Sequence, residues 1–139
     1  MSDENLEFAR ESVRAFNERD ADWVIANSTS DLEWHPAIAG GVEGGKPFRR
    51  HSGVHEMFGA MDEVWEEFTL EPDEIRDLGD AYLLLQQVRL EGKTGVQLEH
   101  SLDAVIELRD GKMARGRTYL NREEALAAAE RVGKEAVGE

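Results

Sequence analysis

The sequence predicts an α+β fold in which helices pack into the concave face of a curved antiparallel sheet. Apolar residues recur at three- and four-residue spacing in the first half of the chain, whereas from Phe68 onward they alternate with polar residues. A doubly wound fold needs helices that alternate with parallel strands, so helices followed by a run of strands exclude it. The remaining arrangement is a cone with a cavity between helices and sheet, where a ligand can bind.

Three helices are predicted ahead of the main sheet. The first covers about residues 3–18, with an apolar stripe formed by Leu6, Ala9, Val13 and Phe16. Asp20 is suited to the N-cap of a short second helix that carries Trp23 and Val24. Ser52 is predicted to cap a third helix. Its apolar stripe is formed by Val54, Met57, Phe58, Met61 and Trp65.

Strands account for most of the remaining chain. A short strand from Leu32 to His35 is predicted between the second and third helices, followed by a long glycine-rich loop. Four longer strands are then predicted, namely Phe68–Leu78, Ala81–Leu90, Val96–Leu108 and Lys112–Leu120. Glycine-containing turns join them, of which Asp110-Gly111 is the strongest hairpin signal, so an antiparallel meander is expected.

Two local features refine this prediction. Pro72 lies inside the first long strand and has no N–H to donate, so we expect a bulge or an edge there. Asn121, with Glu124 three residues later, is typical of the start of a helix, and a last helix is expected from this point.

Composition limits the class of protein. The chain has 139 residues, no cysteine, and 30 acidic against 16 basic residues, giving a formal charge of −14. This length fits one domain over residues 1–139. The lack of cysteine excludes disulfides and favours a cytoplasmic location. The negative charge argues against a nucleic-acid partner. No apolar run is long enough for a membrane span.

Four phrases along the chain are similar to the nuclear transport factor 2-like superfamily, in its SnoaL-like and ketosteroid isomerase-like branch. In order, they are FNERDADWV, LEWHP, SGVHEMF and LRDGKMARGRTYLNREEAL. The resemblance implies a cystatin-like cone with a pocket for a small apolar ligand, and no cofactor. The superfamily includes isomerases, cyclases, epoxide hydrolases, dehydratases and non-catalytic binding domains, so the resemblance leaves the activity open.

The resemblance implies that His35 is the candidate catalytic base. In the isomerases of the superfamily a carboxylate stands just before a proline in the first strand, and the matching position here is His35 before Pro36. An imidazole with an ordinary pKa of about 6.5 can also take up a proton near neutral pH. The alternative is a partly buried histidine that is hydrogen-bonded beside the mouth of the pocket.

Asp103, in the run SLDAVIEL, is the second catalytic candidate implied by the resemblance. It corresponds to a neutral carboxylic acid that donates a hydrogen bond to the developing oxyanion in the isomerases. The alternative is an aspartate on the polar side of the strand. Glu99, Ser101 and Glu107 share its parity, whereas the apolar residues of the strand have the opposite parity.

Two departures from the family patterns weaken the catalytic hypotheses. The tyrosine that serves as the other oxyanion donor in the isomerases is matched here by Ser12. The arginine that the epoxide hydrolases carry two residues before an aspartate is matched by Ser101. An enzyme of the isomerase, cyclase or lyase type and a non-catalytic ligand-binding or dimerisation domain both remain open, and an epoxide hydrolase is a weaker alternative.

Further residues are expected at the substrate. The predicted set of binding residues is Ser12, Phe16, Trp34, Phe58, Tyr82, Arg117 and Tyr119. Gln86 and Arg115 lie on strands that should also line the cavity in part. The arginines have an alternative role, which is to pair with the abundant carboxylates.

No metal site is predicted. His51 and His55 are four residues apart, but His51 precedes the expected helix, and the sequence has no HExxH pattern.

A homodimer through the convex face of the sheet is also predicted. One face of the third long strand is apolar and carries Leu98, Leu102, Ile106 and Leu108. If the helices fill the concave side, this face must be covered by a partner sheet.

Overall fold

The computed structural model describes residues 3–39, 42–43 and 46–136. The helices are α1 (Asp3–Glu18), α2 (Ala21–Ala26), α3 (Arg50–Val64) and α4 (Arg122–Ala136). The strands are β1 (Ser28–His35), β2 (Ile38–Ala39), β3 (Val42–Glu43), β4 (Phe48–Arg49), β5 (Trp65–Asp77), β6 (Ala81–Gly92), β7 (Gln97–Ser101), β8 (Asp103–Arg109) and β9 (Lys112–Tyr119). The α+β class predicted from the sequence is confirmed.

The seven-stranded sheet has the order β4-β1-β9-β8-β6-β5, and β7 also pairs with β6. Strands β5, β6, β8 and β9 form the predicted antiparallel meander, but the strand predicted from Val96 to Leu108 is divided at Leu102 into β7 and β8. The first strand, β1, begins four residues earlier than predicted and pairs with β9 in parallel, which was not predicted. The register of β5 against β6 shifts between Pro72 and Glu74, so the bulge expected at Pro72 is confirmed.

The segment after Pro36, which was expected to be a long loop, contains some strand structure. It contains the small ribbon β2–β3 and the edge strand β4, which pairs with β1. Residues 40–41 and 44–45 of this segment lie outside the described part of the chain.

Helix starts agree with the sequence at two of three positions. Asp20 Oδ1 accepts from the Trp23 amide at 3.1 Å, and Asn121 Oδ1 accepts from the Glu124 amide at 3.1 Å. The prediction for Ser52 is wrong, because α3 begins at Arg50 and its N-cap residue, Arg49, makes no side-chain capping bond. Phe48 pairs with Trp34 in the sheet, and α3 follows β4 without an intervening loop.

The sheet has two covered faces. The inner face packs against α1, α2 and α3 around a large apolar cluster. On the outer face α4 covers a smaller cluster, formed by Leu83, Leu85, Val105, Ala125, Ala128 and Ala129. Because side chains alternate along a strand, each central strand contributes to both layers.

Three of the four residues proposed for a dimer interface pack on the inner face, which corrects that part of the prediction. Leu102 and Ile106 are 4% and 1% exposed and belong to the inner cluster with residues of α1 and α3. Leu108 packs against the same cluster, and Leu98 is exposed on the β6–β7 hairpin. The sequence groups these residues correctly on one side of the strand, but that side is the inner face of the sheet and not the outer one.

None of the helices within the described ranges is both long enough and apolar enough to span a bilayer.

Candidate functional site

A cavity lies between the inner face of the sheet and helices α1 and α3. Its walls are mostly apolar, and the strands that line it are β1, β4, β5, β6, β8 and β9. The centre of a water molecule can reach about 40 Å³ of it. That space holds only a few waters, since one water needs roughly 10–15 Å³ on this measure. An aromatic ligand therefore requires the walls to move.

Aromatic side chains form one wall of the cavity. The rings of Phe16 and Trp34 have centroids 4.9 Å apart, and Phe58 packs edge-on behind Phe16 at 5.5 Å. Trp34 lies directly over Gly116 on β9. A Cβ at position 116 would come within 2.1 Å of the indole ring, so the ring position depends on the glycine.

Three methionines form another part of the lining, with Met57 and Met61 on α3 and Met113 on β9. Unbranched thioether side chains change rotamer at low cost and fit irregular shapes. These walls are the ones best able to move when a ligand enters.

Ser12 and Tyr82 are joined by a hydrogen bond between their hydroxyl groups on the α1 side of the cavity. The Tyr82 hydroxyl donates to Ser12 Oγ at 2.9 Å, and Ser12 Oγ donates to the Ala9 carbonyl at 2.6 Å. Burial raises the pKa of Tyr82 above its ordinary value, because the charged phenolate would lose its hydration. The hydroxyl therefore keeps its proton at neutral pH.

Gln86 on β6 is the one polar group of the lining with an unsatisfied buried atom among the described residues. The residue is 2% exposed, and its Oε1 has no hydrogen-bond partner in the described part of the chain. A buried amide oxygen without a partner costs about 1–3 kcal/mol. Such a cost is expected where a ligand or a bound water supplies the missing donor.

Asp103 is fully buried but lies on the outer face of the sheet, because its neighbours Leu102 and Ala104 face the cavity. Arg122 binds the carboxylate with two hydrogen bonds, Nε to Oδ2 at 3.0 Å and Nη2 to Oδ1 at 2.9 Å. Oδ1 also accepts a hydrogen bond from the main-chain N–H of Gln86 at 3.0 Å. The carboxylate accepts all three bonds and does not line the cavity.

His35 also lies outside the cavity lining, although Trp34 and Pro36 on either side of it are part of that lining. Its Nε2 is 3.1 Å from Glu33 Oε1, and Glu33 Oε2 accepts from Arg49 Nη1 at 2.6 Å. The contact with His35 and the nearby arginines hold the pKa of Glu33 below its ordinary value. The structure thus does not bring His35 and Asp103 together around one ligand.

The predicted binding residues divide between the two faces. Ser12, Phe16, Trp34 and Tyr82 line the cavity. Phe58 is buried behind Phe16. Arg117 and Tyr119 line a polar groove between the outer face and α4, because Thr118, which lies between them, takes the inward position. Arg117 there lies 3.6 Å from Glu107, and burial raises the pKa of Tyr119.

No cluster of three or more potential metal-ligating side chains occurs within the described ranges. His51 Nε2 lies 3.4 Å from the Ser28 carbonyl.

Sequence reasoning missed two features of this region. Arg122, at the start of α4, was not expected to pair with Asp103, because nothing local connects residues 19 positions apart. The three methionines were read as core or left without a role. Alternation alone would place Met113 and Thr118 on opposite faces of β9, because they are five residues apart. The shift in register between Glu107 and Leu108 brings both to the inner face, and no local sequence signal marks it.

Comparison with known proteins supports the fold. A model of the SnoaL-like domain matches residues 9–116. No curated protein matches the chain. An NTF2-like protein of unknown function from Burkholderia pseudomallei superposes with a TM-score of 0.74 at 24% identity, covering 91% of this chain and 97% of that one.

Two further solved structures are similar. TerC, co-crystallised with polyporic acid, superposes with a TM-score of 0.72 at 23% identity, covering 91% of this chain and 98% of that one. An LEH-like epoxide hydrolase from M. tuberculosis gives a TM-score of 0.68 at 19% identity, with coverage of 96% and 94%. At these identities the similarity shows the fold.

Proposed function

The chain belongs to the SnoaL-like domain family, and from that premise we propose that it binds a small apolar molecule carrying one hydrogen-bonding group. The observation that carries this proposal is Gln86 Oε1, a buried acceptor with no partner among the described residues, on a side chain that lines an apolar cavity. A ligand hydroxyl or N–H placed there would satisfy it, while the apolar walls would bind the rest of the molecule.

Binding without proton transfer is favoured over an isomerase, cyclase or lyase reaction. General acid–base chemistry needs a titratable group within hydrogen-bond reach of the substrate. The described lining contains no histidine, carboxylate, lysine or arginine, and its one tyrosine is bonded to Ser12. His35 and Asp103 have partners outside the cavity. The same absence of carboxylates in the described lining weighs against the epoxide hydrolase alternative.

The expected ligand is about the size of a single aromatic ring. The open space is small, but the methionine and aromatic walls can rearrange to admit a flat ring. The co-crystallisation of TerC with polyporic acid supports a small-molecule ligand for this fold.

A matched pair of probes tests the proposal. The molecules p-cresol and p-xylene have the same shape, but only p-cresol has a hydroxyl group to donate to Gln86. We expect the protein to bind p-cresol about tenfold more tightly in an NMR titration, because a net gain of about 1.4 kcal/mol, toward the upper end for one buried hydrogen bond, corresponds to a factor of ten. Gln86→Leu should lose this preference and bind p-xylene at least as tightly as p-cresol, because a hydroxyl group buried without a partner is unfavourable.

Gln87→Leu is the control, because Gln87 follows Gln86 on β6 and its side chain has the opposite parity. This variant should keep the tenfold preference. Equal affinity for both probes in the unchanged protein, or an unchanged preference in Gln86→Leu, would contradict the proposal.

We also propose that the homodimer forms through the outer face of the sheet. Its support is the mixed charge of this surface, where Glu33 and Glu107 lie 3.6–3.9 Å from Arg115 and Arg117 and where these pairs could exchange partners with a second copy. A surface carrying both signs can pair with a copy of itself across a two-fold axis. Light scattering should give twice the chain mass at micromolar concentration, and Arg117→Glu should lower it. A monomeric mass for the unchanged protein would remove this proposal.

A further inference from the structure

We propose that the Arg122–Asp103 ion pair positions Gln86 in the cavity from the opposite face of the sheet. Neither residue lines the cavity, yet together they would set the affinity for the hydrogen-bonding group of the ligand. This inference deepens the proposed function and rests on it for the ligand part of its test.

The register of the sheet shows what is unusual at Gln86. Leu84 pairs with Ala104 and Gln87 pairs with Ser101, so Gln86 stands opposite Leu102. The Leu102 amide donates to the Gln86 carbonyl at 3.0 Å, as a regular ladder requires. The main-chain N–H of Gln86, however, donates to Asp103 Oδ1 at 3.0 Å and not to the Leu102 carbonyl. One of the two bonds of this residue pair is therefore made by a carboxylate.

Arg122 fixes that carboxylate. Its two hydrogen bonds to Asp103 have the fork geometry that gives a guanidinium–carboxylate pair a defined orientation. Arg122 Nη2 also lies 3.4 Å from Ser101 Oγ, on the other side of the break between β7 and β8. The guanidinium thus contacts both strands at the point where their regular pairing with β6 is interrupted.

The position of the Gln86 side chain depends on the Arg122–Asp103 pair, because no hydrogen bond to Oε1 holds the side chain in the described part of the chain. Its position is set by the main chain and by the apolar walls. A rotation of the Gln86 peptide would change the direction of the Cα–Cβ bond and move Oε1 relative to the cavity. Displacements of about 1 Å at a binding group can cost a large part of its interaction.

The first arm of the test uses the p-cresol and p-xylene pair on Asp103→Ala and Arg122→Ala. We expect the preference for p-cresol to fall from about tenfold to about twofold, while the affinity for p-xylene changes less than twofold. A general loss of structure would weaken both probes equally. Arg122→Lys should recover part of the preference. Arg109→Ala, which removes another arginine–aspartate pair with Asp31, should leave it unchanged.

The second arm needs no ligand. In ¹H–¹⁵N spectra of the free protein, the main-chain and side-chain amide signals of Gln86 should shift in both Asp103→Ala and Arg122→Ala, but not in Arg109→Ala. Unshifted Gln86 signals in Arg122→Ala would overturn the inference, even if Asp103→Ala fails to fold. Shifted signals in a protein that shows no preference for p-cresol would uphold the positioning role and reject the proposed function.

Discussion

Asp103 on the outer face of the sheet and Gln86 on the inner face are both buried polar side chains, but their hydrogen bonding differs. Asp103 on the outer face is 0% exposed and accepts three hydrogen bonds. Gln86 on the inner face is 2% exposed and keeps Oε1 without a partner among the described residues. Burial of a polar group therefore does not by itself identify a functional site, and the unsatisfied Oε1 is what distinguishes Gln86 from Asp103.

The faces also differ in what holds them together. The inner face buries large aliphatic and aromatic side chains against α1 and α3. The outer face combines the small alanine-rich contact of α4 with ion pairs such as Arg115–Glu107, at 3.9 Å. Half-exposed ion pairs of this kind contribute little to stability. The stability of the fold should therefore depend mainly on the inner face.

Adjacent residues of β8 give the largest expected difference between the faces. Ile106 is 1% exposed on the inner face, and Ile106→Ala should lower the free energy of unfolding by about 3 kcal/mol through lost burial and a new cavity. Glu107→Ala, one residue further on the outer face, should change it by less than about 0.5 kcal/mol. Urea unfolding measures both. Equal losses would contradict the assignment of the two faces.

A single added methyl group tests the fit of the cavity wall. Gly116→Ala places a Cβ within 2.1 Å of the Trp34 ring, which must move. Overpacking of this kind should cost about 2 kcal/mol. Gly59→Ala in α3 is the matched control, because its new Cβ meets nothing within 4 Å. There the substitution should stabilise by about 0.5 kcal/mol through helix propensity. A neutral Gly116→Ala would mean that Trp34 is not held against β9.

The third prediction concerns the alkaline range. Burial raises the pKa of Tyr82 in the folded protein, so above pH about 10 the unfolded chain loses this proton first. The free energy of unfolding should then fall by up to about 1.4 kcal/mol per pH unit. Tyr82→Phe should remove most of that decline, although it loses about 1 kcal/mol at neutral pH with the bond to Ser12.

Tyr119 on the outer face is the comparison for Tyr82. Its pKa is also raised by burial, but it is only partly buried, and Arg117 favours the ionised form. Tyr119→Phe should therefore leave most of the alkaline decline in place. If Tyr119→Phe removed more of it than Tyr82→Phe, the order of burial on the two faces would be reversed.

Several elements of the fold were predictable because each of them has a local cause. The apolar stripe of α1, the Asp20 cap and the Asp110-Gly111 turn are all determined by residues close in sequence. Parallel pairing of β1 with β9 was not predictable in the same way. It joins segments about 80 residues apart, as in the pairing of His35 with Arg117.

The site was less predictable, because strand parity separates two sets of residues without saying which set faces the helices. Leu102 and Ile106 were correctly grouped but assigned outward, and Asp103 was carried into the cavity by resemblance. The deciding contacts are non-local. Arg122 holds Asp103 on the outer face, and the packing of α4 there covers the positions that Val105 and Leu83 occupy.

The smallest expected effect lies at the start of the outer layer. Asn121 is exposed, and its side chain accepts from the Glu124 amide at 3.1 Å, next to Arg122. Asn121→Ala should lower the free energy of unfolding by about 0.5–1 kcal/mol, because one amide at the helix start loses its acceptor. Asn121→Asp keeps the acceptor and should be neutral or slightly stabilising, since a negative charge is favourable at a helix N-terminus. A larger loss in Asn121→Ala, on the scale of Ile106→Ala, would mean that the start of α4 also holds the Arg122–Asp103 pair in place, and that the outer face contributes more to stability than its ion pairs suggest.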